Sequence, residues 1–544
     1  MPRRMRIPSA IVCVAVLAAL ADGRPVAAQA QLFVNTTADL PVASDQCLPG
    51  KVCTLRAAIE KAESVSSGAI ITACFDPTVV PNAKKCQLGF QPLLADDPGF
   101  DAAIGKWRIT LASGSQNFVM SKGGTRIEFG RFIDGYAGPA DNRLQIASAD
   151  GNQQVAFRIE SNGNVLSALD FTGTYQDSAL LLKASLAGDG SANNVLGPGL
   201  TFAGLSSGNG VRISDPSSVN NRIIGSWCGM RGDGEIDPVA EDCFVLDKGT
   251  SGNTIGGDSA ADRNIFAASA LGVGVKIEGP GSADNAVVGN WIGIDRTGAA
   301  KGDLPGGVLI VHGAVRTRVV GNVIGGVDSD AIGVFEDSLE TVIEDNLLGF
   351  DATGTKCIAL KGAGVSLNFG PKQTVVRHNR IRCTRGGGIT ISGAASTNNH
   401  LSENSIGETN QKPIVFSQGA QGRIAKPVVT DAGPNFIAGR ACGGCTIEVF
   451  SDPSGEAQHF EGRTVADATD ATFRFEHPTS FRFHTISVTA TNGRITSELS
   501  NFRSVQIPPT RTPNGPSPTP GPTPSDTLFA SMLYLPWSAR GAFR

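Results

Sequence analysis

The sequence predicts an all-β chain in which a right-handed parallel β-helix is followed by a small β-sandwich. Two recurring phrases and a glycine-rich composition carry that expectation. The first phrase is apolar-x-Gly/polar-Asn-x-Ile/Leu, present as Val287-Val288-Gly289-Asn290-Trp291-Ile292 and as Val319-Val320-Gly321-Asn322-Val323-Ile324. Its asparagines are Asn264, Asn290, Asn322, Asn346, Asn379 and Asn404, spaced 26, 32, 24, 33 and 25 residues apart. The second phrase is a glycine followed by alternating apolar residues, as in Gly274-Val275-Lys276-Ile277, Gly307-Val308-Leu309-Ile310 and Gly388-Ile389-Thr390-Ile391. Alternation at period two indicates strands, and a repeat of this length indicates stacked coils, since no single phrase can bury its own apolar face. The 67 glycines and 6% aromatic content fit a turn-rich β protein.

Coils stacked about 4.8 Å apart pair each strand with those above and below it. Inward Val and Ile then form one column, and asparagines at a fixed coil position form a ladder of amides. The longer coils carry an insert, Gly293-Ile294-Asp295-Arg296-Thr297-Gly298 and Gly349-Phe350-Asp351-Ala352-Thr353-Gly354. Asp295 and Asp351 are 56 residues apart, as are Asn290 and Asn346, so the insert belongs to every second coil. The Asp-x-Thr-Gly phrase reads as a turn capped by its own side chains.

Residues 1–30 read as an export signal: Arg3, Arg4 and Arg6, an apolar run from Ile11 to Ala21, and a small-x-small site at Ala28-Gln29-Ala30. That apolar run is too short to span a bilayer, which takes about 20 residues, and no later segment reaches that length. Past the signal, ten cysteines remain in local pairs: Cys47 with Cys53, Cys74 with Cys86, Cys228 with Cys243, Cys357 with Cys383, and Cys442 with Cys445. An even count behind an export signal favours disulfides over buried thiols or a zinc site, although sequence does not settle connectivity. The formal charge is −4, and residues 1–30 carry four arginines against one aspartate, leaving the remainder near −7. Such mild acidity gives no general attraction to nucleic acid or anionic membranes.

Residues 31–150 are expected to hold an N-terminal cap and the first coils, and residues 151–425 the regular repeats. After Lys426 the strands become independent, as in Cys445-Thr446-Ile447-Glu448-Val449-Phe450, which spells a sandwich over 426–506. Residues 507–544 form a proline-rich linker with a short apolar tail, a pattern that fits surface attachment.

These repeats resemble those of exported bacterial right-handed parallel β-helix proteins, a pectate-lyase-like solenoid class. The likeness lies in Asn253-Thr254-Ile255-Gly256-Gly257 preceding Arg263-Asn264-Ile265, and it covers about Asn193 to Gly407. Near the amino terminus, Cys53-Thr54-Leu55-Arg56-Ala57-Ala58-Ile59 resembles a Cys-Ser-Leu-Arg-Glu-Ala motif, departing from it at Thr54 and Ala57. The resemblance implies a short helix there that caps the first coils. It also implies that Cys442-x-x-Cys445 and the following Ile447-Glu448-Val449-Phe450-Ser451-Asp452 belong to a terminal β-sandwich.

Three side-chain sets are candidates for function. Asp233, Glu235 and Asp237, with Glu241 and Asp242, alternate carboxylates in the manner of a calcium loop, though without the twelve-residue spacing. Arg377, Arg380, Arg382 and Arg385, with His378, fit a groove for an acidic polysaccharide. Asp328, Asp330, Glu336 and Asp337, followed a coil later by Glu344 and Asp345, fit paired-carboxylate chemistry on a glycosidic bond. Trp107, Trp227 and Trp291 are the candidate sugar platforms; Trp227 and Trp291 share one repeat position, where packing is the simpler role. No catalytic residue is assigned, and calcium is the only cofactor suggested. The expected role is a secreted or cell-surface module that binds or adheres to an extracellular polysaccharide or another surface. The alternatives are a polysaccharide lyase or glycoside hydrolase using the outer groove, and a structural component of the envelope.

Overall fold

The structure is a computed structural model that describes residues 29–39, 46–65, 68–111, 116–185 and 190–506; the export segment over 1–28 and the tail from 507 lie outside the described residues. The repeated phrases stack into a parallel β-helix with three faces. The first face is a 12-stranded parallel sheet running from Ala30–Phe33 to His400–Ser402. The second begins at Lys106–Leu111 and ends at Ser405–Ile406, and the third runs from Phe118–Met120 to Ile414–Ser417. One coil is Ala286–Val288 on the first face, Trp291–Ile292 on the second and Gly306–Val311 on the third. Two long strands, Leu169–Leu182 and Leu200–Ser214, pass through the corner between the second and third faces and join them.

The corner between the first and second faces explains the first phrase. Gly289 and Gly321, then Asp345, His378 and Glu403, turn the chain in the left-handed region, where glycine is free of strain and short polar residues are tolerated. The next residue is the asparagine, which points inward. Asn264, Asn290, Asn322, Asn346 and Asn379 each donate from Nδ2 to Oδ1 of the following asparagine at 2.9–3.1 Å, ending at Asn404. The same Oδ1 accepts the preceding asparagine's backbone N–H, and Nδ2 also reaches backbone carbonyls such as Val287 O and Val319 O. All six are buried.

A second ladder, not expected from the sequence, fills the corner before the first face. Asn164, Asn194, Asn221, Asn253 and Asn285 are linked in the same sense at 3.0–3.1 Å. Thr317, Thr341 and Thr374 then take the equivalent position, each with a buried hydroxyl that lacks a partner. Asn399 resumes the column and is met by Gln421.

The interior also departs from an all-aliphatic column. Phe118, Phe157, Phe171, Phe202, Phe244 and Phe266 stack through the early coils with ring centroids 4.9–6.0 Å apart. From Val275 the inner file becomes Val308, Ile332, Val365 and Ile389.

The connectivity that the sequence leaves open is local throughout. Cys47 is joined to Cys53, Cys74 to Cys86, Cys228 to Cys243, Cys357 to Cys383, and Cys442 to Cys445. Cys228 and Cys243 are both fully buried, and their bond ties the second face to the third-face strand of the same coil. Cys86 is half-buried in the irregular segment before the first regular coils, where it is anchored to buried Cys74.

Both ends of the described solenoid are covered. The helix Leu55–Glu63 buries Leu55, Ala57, Ala58, Ile59 and Ala62, and Thr54 caps it by accepting the Ala57 N–H at 3.1 Å. It packs against the first two strands of the first face. At the other end lie two antiparallel sheets: Val428–Gly433, Phe436–Arg440 and Thr472–Glu476 in one, with Thr446–Asp452 and Thr485–Asn492 central to the other. Their glutamates accept free N–H groups of the last coil: Glu448 from Glu403, Glu456 from Glu408 and Thr409, and Glu498 from Phe416, at 2.6–3.0 Å. Ile406 pairs with Ala457 and Leu401 with Thr496, so the terminal strand edge is satisfied. Among the described residues no helix is long and apolar enough to cross a membrane.

The two corner columns predict opposite responses to truncation. Asn322→Ala strands several buried backbone and side-chain groups and should cost about 3 kcal/mol of stability. Thr341→Val removes an unpartnered hydroxyl at constant shape and should stabilise by about 1 kcal/mol. Urea unfolding of the two variants checks both; equal effects would contradict this account of the corners.

Candidate functional site

Parallel register places one outward side chain per coil in a continuous file along the second face. The file reads Arg108, Gln145, Asp170, Thr201, Trp227, Ile265, Trp291, Val323, Leu347, Arg380 and Ser405. It is polar at first, aromatic in the middle and apolar beyond. The Asp-x-Thr-Gly inserts fold over its later part: Asp295 and Asp351 accept the Thr297 and Thr353 hydroxyls at 2.7 and 2.8 Å, and Ala352 N donates to Gly298 O at 2.8 Å. Trp291, Val323, Leu347 and Ile358 pack beneath them.

Over the polar part lies a cleft of about 340 Å³, lined among others by Lys106, Arg143, Asp170, Arg231, Asp233 and Asp237. Asp170 sits between inward Leu169 and Phe171, so alternation turns its carboxylate outward, yet it is buried. It is paired with Lys106 and accepts from Asn142 Nδ2 at 2.6 Å and Thr201 Oγ1 at 2.5 Å. Asn142 Oδ1 in turn accepts the Tyr136 hydroxyl at 2.9 Å. Burial, with Asp170 and Asp141 adding negative charge, pushes the Tyr136 phenol well above its ordinary range, so it stays protonated.

Beyond the contact between Gly232 and Pro139, a groove of about 610 Å³ continues over Tyr136, Trp227, Ile265, Trp291 and Arg263. A Cβ at Gly232 would lie 2.5 Å from Pro139 O, so only glycine permits this approach. Trp227 and Trp291 are half-buried, and the Arg263 guanidinium lies 4.4 Å from the Trp291 ring centroid. Trp107, the third candidate platform, is fully buried and faces the core instead.

The structure rearranges the three sequence-selected sets. Asp233, Glu235 and Asp237 surround Arg231, which pairs with Glu235 and lies 3.4 Å from Asp233 and 3.9 Å from Asp237. The three carboxylates expected for calcium thus lie within reach of one guanidinium. The four arginines do not share a groove, because Asn379 turns the chain between them. Arg377 lies on the first face against Glu344 at 2.5 Å; Arg380 lies on the second, 4.8 Å from the Phe350 ring, and Arg382 reaches Glu408 at 3.4 Å. Arg385 is exposed in the following turn.

The paired-carboxylate set is likewise divided. Asp328 is held by Lys301 at 2.9 Å and Lys361 at 2.7 Å, whose hydrogen bonds lower its pKa. Asp330 is pushed up by burial, against a bond from Ala363 N–H at 2.7 Å. Glu336 contacts His312 at 2.6 Å. Burial raises Glu344, but Arg377 and Arg318 more than offset it. Among the described residues, Cys357, Cys383 and Glu408 alone converge as metal ligands would; the cysteines are joined to each other and offer no thiolates. The remaining bridged cysteines, Cys86 and Cys243 among them, line neither the cleft nor the groove and serve the scaffold.

Sequence reasoning missed Lys106, Tyr136, Asn142, Arg143 and Asp170. They come from coils that precede the regular repeat and meet only through packing. A carboxylate inside the apolar run Leu169-Asp170-Phe171 was the available signal.

No family pattern and no curated protein sequence matches the chain. Solved structures similar to it include the A-module of a mannuronan C-5 epimerase of Azotobacter vinelandii, at 12% identity and TM-score 0.39, covering 68% of this chain and 93% of that one. The tailspike of the E. coli bacteriophage HK620, in complex with a pentasaccharide, shows 10% identity and TM-score 0.36, covering 85% of this chain and 92% of the other. The catalytic domain of an α-1,3-glucanase in complex with nigerose shows 12% identity and TM-score 0.35, covering 67% and 64%.

Asp330 gives a pH test of its surroundings. Its folded pKa is raised, so its contribution is full below the unfolded value of 3.8 and is lost as pH rises through the folded value. Asp330→Asn should therefore unfold at higher denaturant than the parent at neutral pH and match it at about pH 3. A difference that grows towards acid would contradict the assignment.

Proposed function

We propose that this is an exported glycan-binding β-helix whose ligand lies along the outer file of the second face. The carrying observation is the groove over Trp227 and Trp291, two half-buried indoles on alternate coils of one file, with Ile265 between them and Arg263 beside them. Faces of this kind suit the apolar faces of sugar rings, and the polar cleft at Asp170 supplies hydrogen-bonding groups on the same file. Five disulfides fit an oxidising compartment outside the cytoplasm, in keeping with the export signal read over residues 1–30. In this reading residues 31–150 begin and cap the solenoid, 426–506 form a sandwich that closes it, and 507–544 attach it to a surface.

Binding is favoured over lyase or hydrolase chemistry by the state of the cleft's groups. Both oxygens of Asp170 are engaged by Lys106, Asn142 and Thr201, and the Tyr136 phenol keeps its proton, so neither stands ready as a general base.

Glycan-array binding followed by calorimetry on the hits tests the proposal. Trp291→Ala and Trp227→Ala should each weaken binding roughly tenfold, equivalent to about 1.4 kcal/mol. Chelating calcium should leave the affinity unchanged, because Arg231 stands among Asp233, Glu235 and Asp237. Unaltered affinity in both tryptophan variants, with the fold intact, would refute the groove.

A further inference from the structure

The geometry points to an acid-sugar subsite in the cleft, in which Arg143 binds the carboxylate of a uronic acid unit; this rests on the glycan-binding reading above. Three cations line the cleft: Lys106, Arg143 and Arg231. Lys106 is paired with Asp170, and Arg231 is surrounded by Asp233, Glu235 and Asp237. Among the described residues Arg143 has no carboxylate partner, and its Nε is buried without a hydrogen bond. A guanidinium half-withdrawn from water with an orphaned donor has lost solvation that nothing in the chain returns.

Its position fits a ligand. Arg143 immediately precedes Leu144–Ser148, and its backbone is paired with the strand that starts at Lys106: Trp107 N donates to Arg143 O at 2.9 Å. It therefore stands at the edge of the outer file, next to Gln145. Gln145 itself is turned towards Arg108, whose Nε donates to its Oε1 at 2.6 Å, so it does not satisfy Arg143. The carboxylates around Arg231 outnumber that cation, so it offers an anionic ligand no free charge. Arg143 is thus the cleft cation left for an anionic ligand, and its planar guanidinium can hold a carboxylate through two parallel hydrogen bonds. A neutral sugar gains nothing comparable. The aromatic groove binds rings irrespective of charge, and the cleft selects acidic units.

The test measures the full chain against acidic polysaccharides (polygalacturonate, alginate and hyaluronan) and against the same polymers after reduction of their carboxyl groups. Wild type should bind at least one acidic polymer about ten- to a hundredfold more tightly than its reduced form, a difference that shrinks as salt is added. Arg143→Ala should abolish that preference, weakening binding of the acidic polymer far more than that of the reduced polymer. Arg143→Lys should retain part of it, since the charge remains but the fork does not. Unfolding midpoints of both variants establish that they are folded. Equal wild-type affinity for acidic and reduced forms overturns the acid subsite and leaves the glycan-binding reading standing. Equal weakening of both forms by Arg143→Ala also overturns it, assigning Arg143 to packing. Absence of binding to any of these polymers or to the glycan array removes both proposals.

Discussion

The structure depends on a corner that must be made identically in every coil. Each coil turns three times, and at the turns backbone N–H and C=O groups point along the axis outside the regular strand ladders. The asparagine amide answers this need because it carries two donors and an acceptor on a short side chain. Asn322 alone satisfies the N–H of Asn290 and the carbonyls of Val287 and Val320 while holding its neighbours. With the corner held in register, inner and outer files follow without further instruction. An inward residue on one coil forces its counterparts inward on all others.

That register produces the candidate site. An outward file changes character along its length according to what covers it, not according to the local alternation. Early coils leave Asp170 under a polar network; middle coils expose indoles; later coils carry inserts that roof Val323 and Leu347. The insert turns are capped within themselves by Asp295 and Asp351, and Arg296 of the first lines the groove.

The legible part of the sequence was the periodic part. Asn264 to Asn404 recur at matching phase, so their column could be read directly, as could the capped inserts. The second column was present in the same text, as asparagine or threonine two residues before each inward residue of the first face, but threonine at 317, 341 and 374 broke the pattern. Side-chain clusters near in sequence proved poor guides. Arg377 and Arg380 are three residues apart yet on different faces, because Asn379 is a corner. Asp233, Glu235 and Asp237 looked like a calcium loop, and the residue they gather around is Arg231 of the same loop. The cleft's own residues lie as far apart as Lys106 and Asp237, and no spacing rule connects positions brought together by irregular first coils.

The ladders also have a direction. Wherever two asparagines of a column are linked, Nδ2 of the earlier coil donates to Oδ1 of the later one, so both chains of amides run in one sense. The first column runs to the carboxyl-terminal coil, where Glu448, Glu456 and Glu498 accept backbone N–H groups. The last coil thus presents N–H donors to the sheets that follow, and those sheets meet them with carboxylates that cap the stack.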